Sequence, residues 1–210
     1  MSDFQNLAQA VIGANQQGVK EITRSMIDGG VDPVRIINEG LIPGMNVVGV
    51  RFKAGDMFVP EVMMSAKAMS VGIEMVKPLI AEGDMPSQGT VVMGTVKGDL
   101  HDIGKNLVIM MLESAGFKVI DLGVDVPADT FVKAVKEHRA QIVGLSALLT
   151  TTMLAMKATL ETLRQEGVTD RVKVIVGGAP VSQEFADQIG ADGYAPDAAA
   201  AAELCRALVS

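Results

Sequence analysis

Tryptophan is absent from this chain of 210 residues, which has one tyrosine, one cysteine and two histidines. Aromatic residues make up 3% of it, too few for a platform on which bases stack. The single cysteine, Cys205, excludes an internal disulfide and offers no redox or zinc-site spacing. Acidic residues outnumber Lys and Arg by 25 to 18, for a net charge of −7. Phosphate binding needs clustered cations, so nucleic acid is excluded as a partner. No charge-free apolar run reaches about 18 residues, so neither a membrane span nor a membrane partner is expected. The start, Met1-Ser2-Asp3-Phe4-Gln5-Asn6, lacks a basic stretch leading into an apolar run. No secretory signal is expected there, and a cytoplasmic location is the default expectation.

What the chain does contain is apolar bulk: 49% of its residues, ample for one large core or two small ones. Fourteen methionines are present, nine of them before residue 89. They fit two readings, flexible filler inside helices or a soft surface that adapts to a large flat ligand.

Up to about residue 80 the apolar spacing is helical. Phe4, Leu7 and Val11 mark one helix; Val19, Ile22 and Met26 mark a second. Asp32-Pro33 reads as an N-cap followed by proline at the first helical position. Apolar residues then recur at three- and four-residue steps from Val34 to Phe52, and Pro43-Gly44 should kink or break that helix. After a turn at Ala54-Gly55-Asp56, Pro60 opens a helix with Val62, Ala66, Met69, Ile73, Val76 and Ile80 on one stripe. Four helices with apolar stripes predict a small bundle.

The polar, turn-rich stretch at 81–89 reads as a linker. Beyond it, strand-like runs at 90–96, 118–122, 141–146, 172–176 and 192–194 alternate with helical stretches. Those helices are expected near 103–115, 128–138, 152–166, 180–189 and 197–208. The alternation predicts an α/β fold with a parallel sheet covered on both faces. The expected organisation is a helical cap domain over 1–84, then a Rossmann-like, flavodoxin-like domain with a five-stranded parallel sheet over 85–210.

In such a sheet the loops after successive strands converge on one edge. The first carries Gly98-Asp99-Leu100-His101-Asp102-Ile103-Gly104, where Asp99 is placed to orient the His101 imidazole and make it a better metal ligand. The third strand ends in Ser146-Ala147-Leu148-Leu149-Thr150-Thr151-Thr152, the fourth in Gly177-Gly178-Ala179-Pro180. The fifth ends in Gly193-Tyr194-Ala195-Pro196-Asp197. Each has a plain alternative. Asp-x-His makes a local hydrogen bond in many proteins, Gly-Gly serves in ordinary turns, and threonines cap helices. Lys105 and Asn106 are expected only to start a helix, His138 to lie on a solvated face, and Cys205 to be a small buried residue. The acidic residues form no paired acid/base site, so no catalytic residue is assigned.

Taken in order, these elements resemble the cobalamin-binding domains of methionine synthase and of corrinoid proteins in methyltransferase systems. Asp99-x-His101-x-x-Gly104 is followed after 41 intervening residues by Ser146-x-Leu148, and after 28 more by Gly177-Gly178. Upstream, the run from Phe52 to Val62 resembles the methionine synthase cap motif. The resemblance implies that His101 is the lower axial ligand of cobalt, in a cofactor bound base-off with its tail threaded into the sheet. Asp99 would partner the imidazole, and Thr152 would stand where that family has a serine hydroxyl. Asp102, Gly104, Ser146, Leu148, Thr150, Gly177, Gly178, Ala179 and Tyr194 are implied to line the cofactor. Phe52 and Val59 are implied to cover its upper face.

The implied function is that of a corrinoid methyl carrier. A methyl group would be accepted on cobalt from a substrate-specific methyltransferase subunit and passed to a second methyltransferase, with a thiol or tetrahydrofolate as acceptor. A reductive activase is a further implied partner, and the chain alone would not turn over. The alternatives are a cobalamin-dependent sensor module, the small subunit of an adenosylcobalamin mutase, and a flavodoxin-like domain for another nucleotide.

Overall fold

The computed structural model describes residues 2–81 and 86–209. The chain divides into a helical unit that ends at Ser87 and also takes in Ser114–Gly116, and a sheet unit that begins at Gln88. The boundary expected at residue 84, and the middle of the expected linker, fall at 82–85, outside the described residues.

In the helical unit, Ser2 caps α1 (Asp3–Ile12) reciprocally with Gln5, each side chain accepting the other's backbone N–H. Asn15 caps α2 (Gln16–Asp28) through the Gly18 N–H at 2.9 Å. Asp32 accepts the Val34 N–H at 2.9 Å and opens α3 (Pro33–Arg35), where the Asp-Pro signal placed a helix start. Pro43 has no N–H to give, and its ring crowds the carbonyl four residues back. The conflict is resolved by a wider turn instead of a break. Ile36–Leu41 is π-helical, with the Ile42 N–H bonded to the Ile37 carbonyl, and it leads directly into α4 (Ile42–Ala54). Gly55, at φ +79°, ends α4. Then α5 (Val59–Val76) and a 3₁₀ turn (Lys77–Leu79) complete the unit.

Leu7, Val11, Ile36, Leu41, Met45 and Met69 form the heart of this bundle. Helices approach closely at Gly44, where a Cβ would press on Val11 and the Ala8 carbonyl, and at Gly72, where it would meet Leu41. The methionines of this unit differ in burial. Met26, Met45, Met57 and Met69 are buried, whereas Met63 and Met64 of α5 are exposed.

The sheet unit alternates strands and helices throughout. Its strands are β1 (Thr90–Thr95), β2 (Lys118–Asp121), β3 (Ile142–Ser146), β4 (Lys173–Gly177) and β5 (Gly193–Ala195). Its helices are α6 (Ile103–Ser114), α7 (Ala128–His138), α8 (Met153–Gln165), α9 (Gln183–Ile189) and α10 (Ala198–Val209). All strand pairs are parallel, in the order β2-β1-β3-β4-β5. β1, β3 and β4 are near-continuous buried apolar runs, as a sheet covered on both faces requires. The helix expected from residue 180 starts at Gln183, because the Ser182 hydroxyl caps it through the Phe185 N–H. Strand order reverses between β1 and β3, so the loops leaving those two strands flank a crevice where ligands bind in open α/β sheets.

Phe131 of α7, fully buried, lies over Gly94 of β1. A Cβ on Gly94 would come within 2.8–2.9 Å of its ring. Gly94→Ala is therefore expected to cost about 1–3 kcal/mol of stability through overpacking, and Phe131→Leu in the same chain should recover part of it. Urea unfolding followed by Tyr194 fluorescence checks this, since the single tyrosine lies in β5 and reports on the sheet unit.

Candidate functional site

The site begins at the carboxyl end of β1. Asp99 is fully buried, and its two oxygens divide their partners between neighbouring loops. Oδ1 accepts the His101 backbone N–H at 3.1 Å and lies 2.7 Å from His101 Nδ1. Oδ2 accepts the backbone N–H groups of Leu148 and Leu149, at 2.8 and 3.3 Å, and the Thr152 hydroxyl at 2.7 Å. Thr152 Oγ1 also lies 2.8 Å from the Leu149 carbonyl. One proton faces two acceptors there, and the charged carboxylate is the stronger.

Burial by itself would push the Asp99 carboxyl up. The hydrogen bonds from Thr152, Leu148 and His101 outweigh it and hold the group well below the usual carboxylate range. Beside an ionised Asp99 the neutral His101 ring is the Nδ1–H tautomer, in which Nε2 is the donor atom open to a metal. The imidazole is half exposed, and Leu100 and Ile103 beside it are 72% and 83% exposed. Leu148 and Leu149 are also exposed, so the two loops that meet at Asp99 carry apolar side chains on their surface. Among the described residues no cluster of three His, Cys, Asp or Glu side chains could cage a metal ion. A single imidazole donor suits a metal that brings its remaining ligands with it.

The other residues singled out from the sequence have distinct places. Ser146 ends β3, pairs in register with Thr95 and Gly177, and takes no part in the Asp99 network. Asp102 precedes α6 and accepts the Asn106 side-chain N–H at 3.2 Å. Gly104, in the first turn of α6, faces open space where a Cβ would point. Thr150 and Ala179 are exposed loop residues. Tyr194 pairs with Val176 within the sheet and packs partly on the core. Gly178, at φ +129°, has a reason inside the protein: a Cβ there would overlap the Ala147 carbonyl oxygen. Bulk at Gly178 therefore tests the β3 and β4 loops before it tests any ligand channel. Phe52 is half-buried in α4 and Val59, more exposed, starts α5, so both lie in the helical unit on either side of the Gly55 turn.

Two residues near the site were not foreseen. Thr95, the buried last residue of β1, donates its hydroxyl to the His101 carbonyl at 2.8 Å. Lys105, expected only to start a helix, is 2% exposed, with Nζ 2.7 Å from both Asp121 Oδ1 and Asn106 Oδ1. It ties the first turn of α6 to the end of β2. Cys205 is fully buried, as expected, and burial pushes its thiol up to about 12, which leaves it unreactive near neutrality. His138 is half-buried at the end of α7.

Comparison with known proteins matches two models described as a B12 binding domain, at residues 89–203 and 4–77. A corrinoid protein of Desulfitobacterium hafniense (strain Y51) is 46% identical over 100% of this chain and 98% of its own. The chain belongs to the corrinoid proteins. The dimethylamine corrinoid protein of Methanosarcina barkeri is 47% identical to this corrinoid protein over 99% of this chain and 97% of its own. Among solved structures, the methanol:cobalamin methyltransferase complex MtaBC from Methanosarcina barkeri matches with a TM-score of 0.87 and 37% identity. The match covers 99% of this chain and 79% of that one. A cobalamin-binding protein from Desulfitobacterium hafniense DCB-2 matches with a TM-score of 0.83 and 32% identity, over 99% of this chain and 98% of that one.

The Asp99 network also sets an acid dependence. Because its carboxyl is depressed in the folded chain, Asp99 adds stability above the unfolded-state value near 3.8, and that stability is lost as pH falls below it. In Asp99→Asn the amide faces donors it cannot satisfy, at a cost of about 1–3 kcal/mol near neutrality. Stability curves of parent and variant should stand apart at neutral pH and converge in acid. Parallel curves would contradict the assigned ionisation.

Proposed function

We propose that this corrinoid protein carries methyl groups between two methyltransferases, on a base-off corrinoid held by His101. The observation that carries the reading is the single exposed imidazole whose Nδ1 is committed to a buried carboxylate, where loops with exposed apolar side chains meet at the sheet's switch point. When bound, the corrinoid supplies the cobalt that accepts and releases the methyl group.

The residues of the chain supply the rest. His101 Nε2 would be the lower ligand, with Asp99 holding the ring in the donor tautomer and raising its basicity. Leu100, Ile103, Leu148 and Leu149 would offer the cofactor apolar contact, with open space beside Gly104. Phe52 and Val59, on the helical unit, would help keep water from the cofactor.

The partners proposed are a substrate-specific methyltransferase subunit, an acceptor enzyme that delivers the group to a thiol or tetrahydrofolate, and a reductive activase. The relatives named for dimethylamine and for the methanol:cobalamin complex support this class of partner. Among the described residues no helix is long and apolar enough to cross a membrane, and a cytoplasmic location is proposed with the rest. Copurification, followed by methyl-transfer assays with methylamines, methanol and aryl methyl ethers, identifies the donor. A protein that never accepts a methyl group from any copurifying methyltransferase would contradict the carrier role.

Two substitutions separate ligand from space. His101→Ala should bind hydroxocobalamin more weakly and lose the histidine-ligated absorption spectrum, and an unchanged spectrum would end the ligation claim. Gly104→Leu should leave the free chain about as stable, because the space its side chain would enter is open. It should nevertheless weaken corrinoid binding, as measured by thermal unfolding with and without the cofactor.

A further inference from the structure

The side chain of Asp99 is secured from β3, but its main chain is gripped from the opposite side. Asp125, in the loop between β2 and α7, accepts the Gly98 N–H on Oδ1 at 2.7 Å. Its own N–H donates to the Asp99 carbonyl at 2.9 Å. One residue thus brackets the Gly98–Asp99 pair, taking the N–H at one end and the C=O at the other. The rest of the loop is clipped to β1, through Thr95 N–H to the Gly123 carbonyl and Val126 N–H to the Thr95 carbonyl, both at 3.0 Å.

Asp125 does this at φ +53°, in the left-handed region that side chains seldom occupy. Asp and Asn tolerate that region better than other residues, and glycine tolerates it freely. The same loop already uses glycine two residues earlier, at Gly123 with φ +83°. Conformation alone would be served by glycine at 125 as well. What glycine would lack is the acceptor for Gly98.

We propose that Asp125 is a positioning residue for metal ligation by His101. By fixing the Gly98–Asp99 main chain it sets where the Asp99 carboxylate starts. It thereby keeps Oδ1 within 2.7 Å of Nδ1 and aims Nε2 outward. The working part is the side-chain oxygen, not its charge, so asparagine should replace it. The inference rests on the corrinoid reading above.

The test uses the full chain loaded with hydroxocobalamin, reduced to Co(II), and examined by electron paramagnetic resonance for splitting by the axial imidazole nitrogen. Asp125→Ala and Asp125→Gly should lower the ratio of histidine-ligated to unligated cobalt roughly 5-fold, the size of one net hydrogen bond. Asp125→Asn should match the parent. Asp125→Gly is decisive, because it relieves the left-handed backbone and still removes the acceptor. Splitting kept in both Asp125→Gly and Asp125→Ala overturns the proposal alone. A parent spectrum with no splitting removes histidine ligation, and the proposal with it. In the cofactor-free chain, hydrogen exchange at the Gly98 amide should be slow in the parent and Asp125→Asn and faster in the other two. Equal exchange in all four chains overturns the grip itself.

Discussion

The arrangement depends on a carboxylate sealed from water. A buried charge is costly unless it is paired and hydrogen-bonded, and Asp99 meets that condition with donors from two separate loops. His101 comes from the loop after β1; Leu148, Leu149 and Thr152 come from the loop after β3. Those loops adjoin only because strand order reverses between β1 and β3. Chain topology therefore enters the chemistry directly: without β3 beside β1, Asp99 would lack half its donors and would protonate or turn out to solvent. The outward nitrogen of His101 follows from the inward satisfaction of Asp99.

Around this pair stand supports that never touch the imidazole ring. Thr95 holds the His101 carbonyl from below, and buried Lys105 fastens α6 to the end of β2 through Asp121. Gly178 lets the β4 loop pass against Ala147. Each restricts a backbone segment close to the Asp99–His101 pair. Preorganisation of this kind is built into many modest contacts and few strong ones.

Much of this was legible in the sequence. The change of apolar period near residue 89 and the five strand-like runs carry the fold because they are local patterns, and the fixed intervals between Asp99, His101, Ser146 and Gly177 carry a family resemblance that implies the ligand. What stayed hidden depended on contacts between distant segments. Thr95 reads as one more strand residue, and Lys105 as one more polar residue at a helix start. Asp125 sits in an ordinary turn-like run, Gly-Val-Asp-Val-Pro. Gly177-Gly178 was legible as a glycine pair but not for its reason, since the group occupying the space at Gly178 belongs to Ala147. At Pro43 the local rule was right about the conflict. The widened turn at Ile36–Leu41 is a remedy that periodicity does not reveal.

Thr152 carries a methyl group that a serine in its place would lack. β-Branching leaves a side chain few χ1 rotamers, and the Thr152 methyl lies 3.7 Å from the position a Cβ would take on Gly98. The hydroxyl is consequently a stiff donor, with less rotational entropy to surrender on bonding Asp99 than a serine would have. A fixed χ1 also holds Oγ1 within reach of Asp99 Oδ2 and the Leu149 carbonyl together, so the carboxylate keeps a donor beside it without a search among rotamers.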